Sequence, residues 1–108
     1  MEDIHSEYDL DRLVGETKGY VLLDLWAAWC RPCQVMMPAL QTVEELFHGK
    51  LSVCRLEVDE QEEMAEAFCV SGIPTFILYK EGKEMGRIIG YRQKAKFIEE
   101  LEKIMDSE

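Results

Sequence analysis

The chain has 108 residues, 47% of them hydrophobic and 31% charged, a balance that fits one folded domain over residues 1–108 and leaves too little for two. Its net charge of −10, from 12 basic and 22 acidic side chains, excludes the basic footprint that nucleic-acid binding needs and disfavours docking on anionic lipid. The N-terminus lacks the basic and apolar blocks of a signal peptide, and the longest apolar stretch, residues 20–29, contains Asp24 and is too short to span a bilayer, so a cytoplasmic protein is expected.

Residues 9–16 read as a short helix with Leu10, Leu13 and Val14 on one face, ended by the Lys18-Gly19 break. Residues 20–26 are apolar on both faces, as in a strand at the centre of a covered sheet. Residues 30–47 carry helical spacing through Met36, Met37, Leu40, Val43, Leu46 and Phe47, with a kink expected at Pro38. Residues 51–58 alternate as a second strand, with Cys54 on its more apolar side.

Residues 60–68 read as a helix that is acidic where the dipole favours negative charge. Residues 74–79 and 85–89 form an antiparallel hairpin across residues 80–83, which include Gly82. A closing helix over residues 93–105 turns Phe97, Leu101, Ile104 and Met105 inward. The order predicts an α/β architecture: a central mixed sheet with helices on both faces.

Four cysteines occur, at positions 30, 33, 54 and 69. An even number is compatible with a stapled secreted scaffold, but a chain this rich in apolar residues needs no staples. Structural zinc commonly takes two close pairs of ligands. Only one such pair is present, and His5 and His48 are isolated, so no metal is expected. The absence of a phosphate loop or dinucleotide fingerprint argues equally against a bound nicotinamide or flavin cofactor.

Cys30-Arg31-Pro32-Cys33 falls between the end of a central strand and the start of a helix. A thiol there faces unpaired amides and the positive end of the helix dipole, which favours its thiolate and makes Cys30 the expected nucleophile. Cys33 follows one turn on, less exposed, at a spacing compatible with reversible disulfide formation. The pair is suited to thiol–disulfide exchange through a mixed disulfide. Asp24 has two readings: a desolvated carboxylate of raised pKa that helps Cys33 lose its proton, or an acid satisfied by a neighbour or by solvent. Cys54 is expected to be an inert core thiol; Cys69, at the end of the acidic helix, is either exposed and oxidisable or packed, with packing favoured.

The series Asp24-Leu25-Trp26-Ala27-Ala28-Trp29-Cys30-Arg31-Pro32-Cys33, then Pro38, Asp59, Gly72-Ile73-Pro74-Thr75 and Gly90, resembles the thioredoxin family along nearly the whole chain. The resemblance implies the thioredoxin fold and a protein-disulfide reductase or electron carrier. It further implies that a thioredoxin reductase or related flavoprotein supplies electrons and that disulfide-containing proteins are the substrates; a monomer is expected. Pro74 matches the family's cis-proline beside the disulfide. Trp29, Ile73, Pro74 and Gly90 match the apolar surface that receives substrate, Asp24 the buried acid, and Arg55 a basic residue near it. Trp26 is expected to pack beneath the site.

Two positions depart from the family. Arg31 stands where glycine is usual, and Gln34 where lysine is common. A fixed cation beside Cys30 favours its thiolate and a more oxidising couple, while loss of a lysine at Gln34 acts the other way. The bulk of Arg31 could also narrow the substrate range, or its charge could simply be screened by solvent. Two alternatives to a reductase therefore stand: an oxidase- or isomerase-like variant tuned by Arg31, and a binding module in which redox turnover is incidental.

Overall fold

The computed structural model describes residues 1–107. In chain order its elements are β1 (Glu2–Asp3), α1 (Glu7–Leu10), which widens into a π-helical stretch over Asp11–Gly15, β2 (Tyr20–Trp26), α2 (Arg31–Val35), α3 (Met37–Leu46), β3 (Leu51–Glu57), α4 (Glu62–Ala67), β4 (Thr75–Lys80), β5 (Lys83–Ile89) and α5 (Lys94–Asp106). The sheet has the order β1-β3-β2-β4-β5. β1 and β2 run parallel to β3, whereas β4 runs antiparallel to both β2 and β5. It is the central mixed sheet that the element order predicts.

Alternation along β2 sorts its side chains to two cores. Leu22 shares one face with Val53, Phe76 and Leu78, packed against Leu40 and Val43 of α3 and Phe97 and Leu101 of α5. Leu23 and Leu25 share the other with Cys54, Leu56 and Ile77, packed against Ile4, Val14 and Ala65. Helices thus cover both faces, which is why β2 tolerates no polar side chain except Asp24. Phe76 and Phe97 meet edge to face at 4.7 Å between centroids.

Several boundaries differ from the sequence reading for local reasons. The first helix begins at Glu7 rather than at residue 9. Ser6 Oγ accepts the Asp9 N–H at 3.1 Å while Asp9 Oδ2 accepts the His5 N–H at 2.9 Å, a reciprocal cap. The helix expected over residues 60–68 is α4 alone, because Gln61 at its N-cap is not helical (φ −125°, ψ 57°). The hairpin loop shrinks to Glu81-Gly82, both at positive φ, the two-residue turn whose twist suits antiparallel strands. β1 has no counterpart in the sequence reading, since two residues carry no period.

The long helix expected over residues 30–47 is broken at Met36 into α2 and α3. Pro38, in the first turn of α3, lacks the amide that a continuous helix would use. Met36 itself is 1% exposed and anchors the break in the core.

Candidate active site

β2 delivers the chain to the edge of the core at Trp26, and residues 27–30 turn it into α2. The Cys30 N–H donates to the Ala27 carbonyl at 3.1 Å, closing the turn. Cys30 then caps α2: its backbone is extended, and its sulfur accepts the Cys33 N–H at 3.3 Å. Pro32 costs nothing in this first turn, where its missing amide would have no helical partner. Cys30 and Cys33 are joined as a disulfide with a Cα–Cα separation of 5.3 Å. Both are buried, 3% and 1% exposed, in a small cluster with Ala27 that Trp26, Val58 and Ile73 pack against.

Ala28 is held from both sides. Its N–H donates to Glu57 Oε1 at 3.2 Å, and its carbonyl accepts from Gln34 Nε2 at 2.7 Å. The second oxygen of Glu57 accepts the Glu60 N–H at 2.8 Å, so one carboxylate ties the loop before the cysteines to the loop after β3. A further tie runs from the Trp29 indole N–H to Asp59 Oδ2 at 2.7 Å. Trp29 is 70% exposed, so this bond fixes the orientation of a large apolar surface standing in solvent.

The Ile73–Pro74 peptide bond is cis, as the resemblance implies. Ile73 is half-buried against the cysteine cluster, and Pro74 is buried. The Gly90 N–H donates to the Pro74 carbonyl at 2.7 Å, with Gly90 at φ +90°, a conformation glycine adopts without strain. The structure therefore brings Cys30, Cys33 and Ile73 into one cluster and ties Gly90 to Pro74.

Asp24 lies on the face of β2 that carries Leu22, the face covered by α3 and α5, and is 1% exposed. Burial and a charged partner act on it together. Arg55, its partner across the strands, donates Nε–H to Oδ2 at 3.0 Å and stacks over Trp26 at 4.1 Å from the ring centroid. Burial nevertheless outweighs Arg55 and pushes the carboxyl up to about 6, within range of proton transfer near neutrality.

Three features of the site escaped the sequence reading. Glu57 looks like one more strand carboxylate, and Gln34 looks like a lost charge rather than a donor. Asp59 was legible only as a landmark, not as the partner of Trp29. The other two cysteines separate. Cys54 is buried, its thiol raised to about 12 chiefly by burial, as expected of an inert core residue. Cys69 is exposed instead of packed, because it sits just past α4 at φ +53° and its side chain points away from the core. Arg31 is exposed at the first position of α2.

Comparison with known proteins agrees with this geometry. The thioredoxin family model matches residues 3–103. Thioredoxin from Alicyclobacillus acidocaldarius is 40% identical over 85 residues, covering 79% of this chain and 81% of the relative. Thioredoxin from Staphylococcus aureus is 35% identical over 98 residues, covering 91% and 92%. Among solved structures, Fasciola hepatica thioredoxin superposes with a TM-score of 0.84 at 30% identity, covering 95% of this chain and 98% of that one. Malassezia sympodialis thioredoxin, Mala s 13, superposes with a TM-score of 0.83 at 25% identity, covering 95% and 89%. With a redox-active cysteine pair at the junction of β2 and α2, the chain belongs to the thioredoxin family of thiol–disulfide oxidoreductases.

Proposed function

We propose that the chain, acting as one thioredoxin domain, reduces protein disulfides with Cys30 as nucleophile and Cys33 as resolving thiol. The observation that carries this assignment is the Cys33 N–H directed at the Cys30 sulfur at 3.3 Å, at the start of α2. That donor stabilises negative charge on Cys30 and offers nothing comparable to Cys33.

In the first step the Cys30 thiolate attacks one sulfur of the substrate disulfide. A mixed disulfide forms, the substrate S–S bond breaks, and one substrate thiolate leaves. In the second step the Cys33 thiolate attacks the Cys30 sulfur, the mixed bond breaks, and the second substrate thiolate leaves. The carrier has lost two electrons and the substrate has gained them. Asp24, at about 6, takes up the proton that Cys33 gives up, and Arg55 limits how far burial raises that carboxyl. Trp29, Ile73, Pro74 and Gly90 receive the extended substrate strand, with Pro32 shaping the turn between the cysteines.

A thioredoxin reductase or related flavoprotein returns the two electrons, and the carrier works as a monomer in the cytoplasm. No helix among the described residues is long and apolar enough to cross a membrane. Equilibration of the Cys30–Cys33 couple with a dithiol buffer tests the assignment. A reduction potential near the roughly −270 mV of thioredoxin supports a general reductant. A value higher by about 30 mV or more, tenfold for a two-electron couple, moves the role toward the oxidising variant. Lack of a reversible two-electron step overturns the reading.

A further inference from the structure

Five arginines occur in the sequence, and four are held by carboxylates of the same chain. Arg12 pairs with Glu2 and Asp9, Arg55 with Asp24, Arg87 with Glu84 and Arg92 with Glu100. Arg31 is the exception. It is exposed, next to Cys30, and no ion pair or hydrogen bond joins its side chain to another described residue. In a chain carrying 22 carboxylates, a guanidinium left unpaired has to be kept apart from them. The acids nearest the cysteine loop are engaged elsewhere: Glu57 with two backbone amides and Asp59 with the Trp29 indole.

A guanidinium is a planar fork of donors matched to a carboxylate, and it holds its charge at every physiological pH. Placed beside the nucleophile, it meets whichever side chain flanks the cystine under attack. We propose that Arg31 is a specificity-determining residue that receives an acidic side chain adjacent to the substrate's cystine. The preferred substrates are then protein disulfides flanked by Asp or Glu. This substrate class rests on the reading of Cys30 as nucleophile given above. The net charge of −10 repels acidic partners at long range, but salt screens that field beyond about 8–10 Å, whereas the Arg31 contact is made at close range. Local charge therefore selects where global charge does not. An exposed pair of this kind changes a rate about two- to fivefold.

Arg31 also acts on the Cys30 thiolate, alike for every substrate, so its two effects separate as a ratio. The test uses two synthetic cystine peptides, identical except for Glu or Lys beside the attacked cysteine. Their reduction by the wild-type chain, R31Q and R31E is followed at low and high salt. The expected result is a rate ratio, Glu peptide over Lys peptide, about two- to fivefold lower in R31Q than in wild type and lower again in R31E, with the differences shrinking at high salt. A change common to both peptides reports the thiolate instead. The same ratio in wild type and R31Q overturns the substrate preference alone. If the wild-type chain reduces neither peptide, the assignment of Cys30 falls with it.

Discussion

Arg55 holds one oxygen of the Asp24 carboxylate at 3.0 Å, and the other oxygen has no hydrogen-bond partner among the described residues. This half-satisfied acid makes stability depend on pH. An unfolded aspartate loses its proton near 3.9, whereas folded Asp24 keeps its proton to about 6. Between those values the folded state binds more protons at this site, so the contribution of Asp24 to stability is greatest below about pH 4, falls as pH rises toward 6, and stays lower above. Asp24→Asn removes this loss. At pH 8 the variant should be more stable than wild type by on the order of 2–3 kcal/mol, with the gap closing toward pH 4. Urea unfolding at both pH values checks it, and equal gaps at the two would show that Asp24 does not titrate differently on folding.

Removing the other partner moves the titration itself. Arg55 lowers the Asp24 pKa through its hydrogen bond and its charge. Arg55→Met, which keeps much of the apolar volume over Trp26, should move the Asp24 midpoint higher still. Carbon-13 carboxyl shifts followed across pH 4–9 read that midpoint directly. Resolution of the mixed disulfide should acquire its pH dependence at the same higher value, measured as the rate of the second step.

The clamp on Ala28 is expected to act on binding more than on folding. Gln34→Ala removes the donor to the Ala28 carbonyl, a neutral bond worth about 0.5–1.5 kcal/mol. Glu57→Gln weakens charge-assisted bonds to two amides and should cost about 1–3 kcal/mol. Both should raise KM for protein substrates a fewfold, with faster hydrogen exchange at the Ala28 or Glu60 amide. Unchanged exchange in both variants would mean that the loops are held by other contacts.

Alkylation should separate the two remaining thiols. In the oxidised protein iodoacetamide should modify Cys69 within minutes and leave Cys54 untouched until the chain unfolds, since one thiol is exposed and the other buried with its pKa near 12. Mass spectrometry of the native and urea-unfolded protein gives the count. Modification of Cys54 under native conditions would contradict the packing of β3 against α4.

How far the sequence was readable depends on the range of the interaction. β2 reads at once because burial on both faces leaves an unbroken apolar run, and α5 reads because Phe97, Leu101 and Met105 keep helical spacing. Cys30 and Cys33 were legible since strand, pair and helix are contiguous. Glu57 and Gln34 were not, because their meaning lies in contacts to Ala28 that span 29 and 6 residues. Of the two readings of Cys69 the less favoured one holds: composition favours burial for cysteine, and the left-handed backbone after α4 turns it outward.

The break at Met36 divides the work of one long helix between two bodies. α3 sends Ala39, Leu40 and Val43 into the core, whereas α2 buries Cys33 alone. The segment that changes its covalent state on every cycle is therefore short and lightly packed, and the segment that carries the load is insulated from it by a proline and a buried methionine.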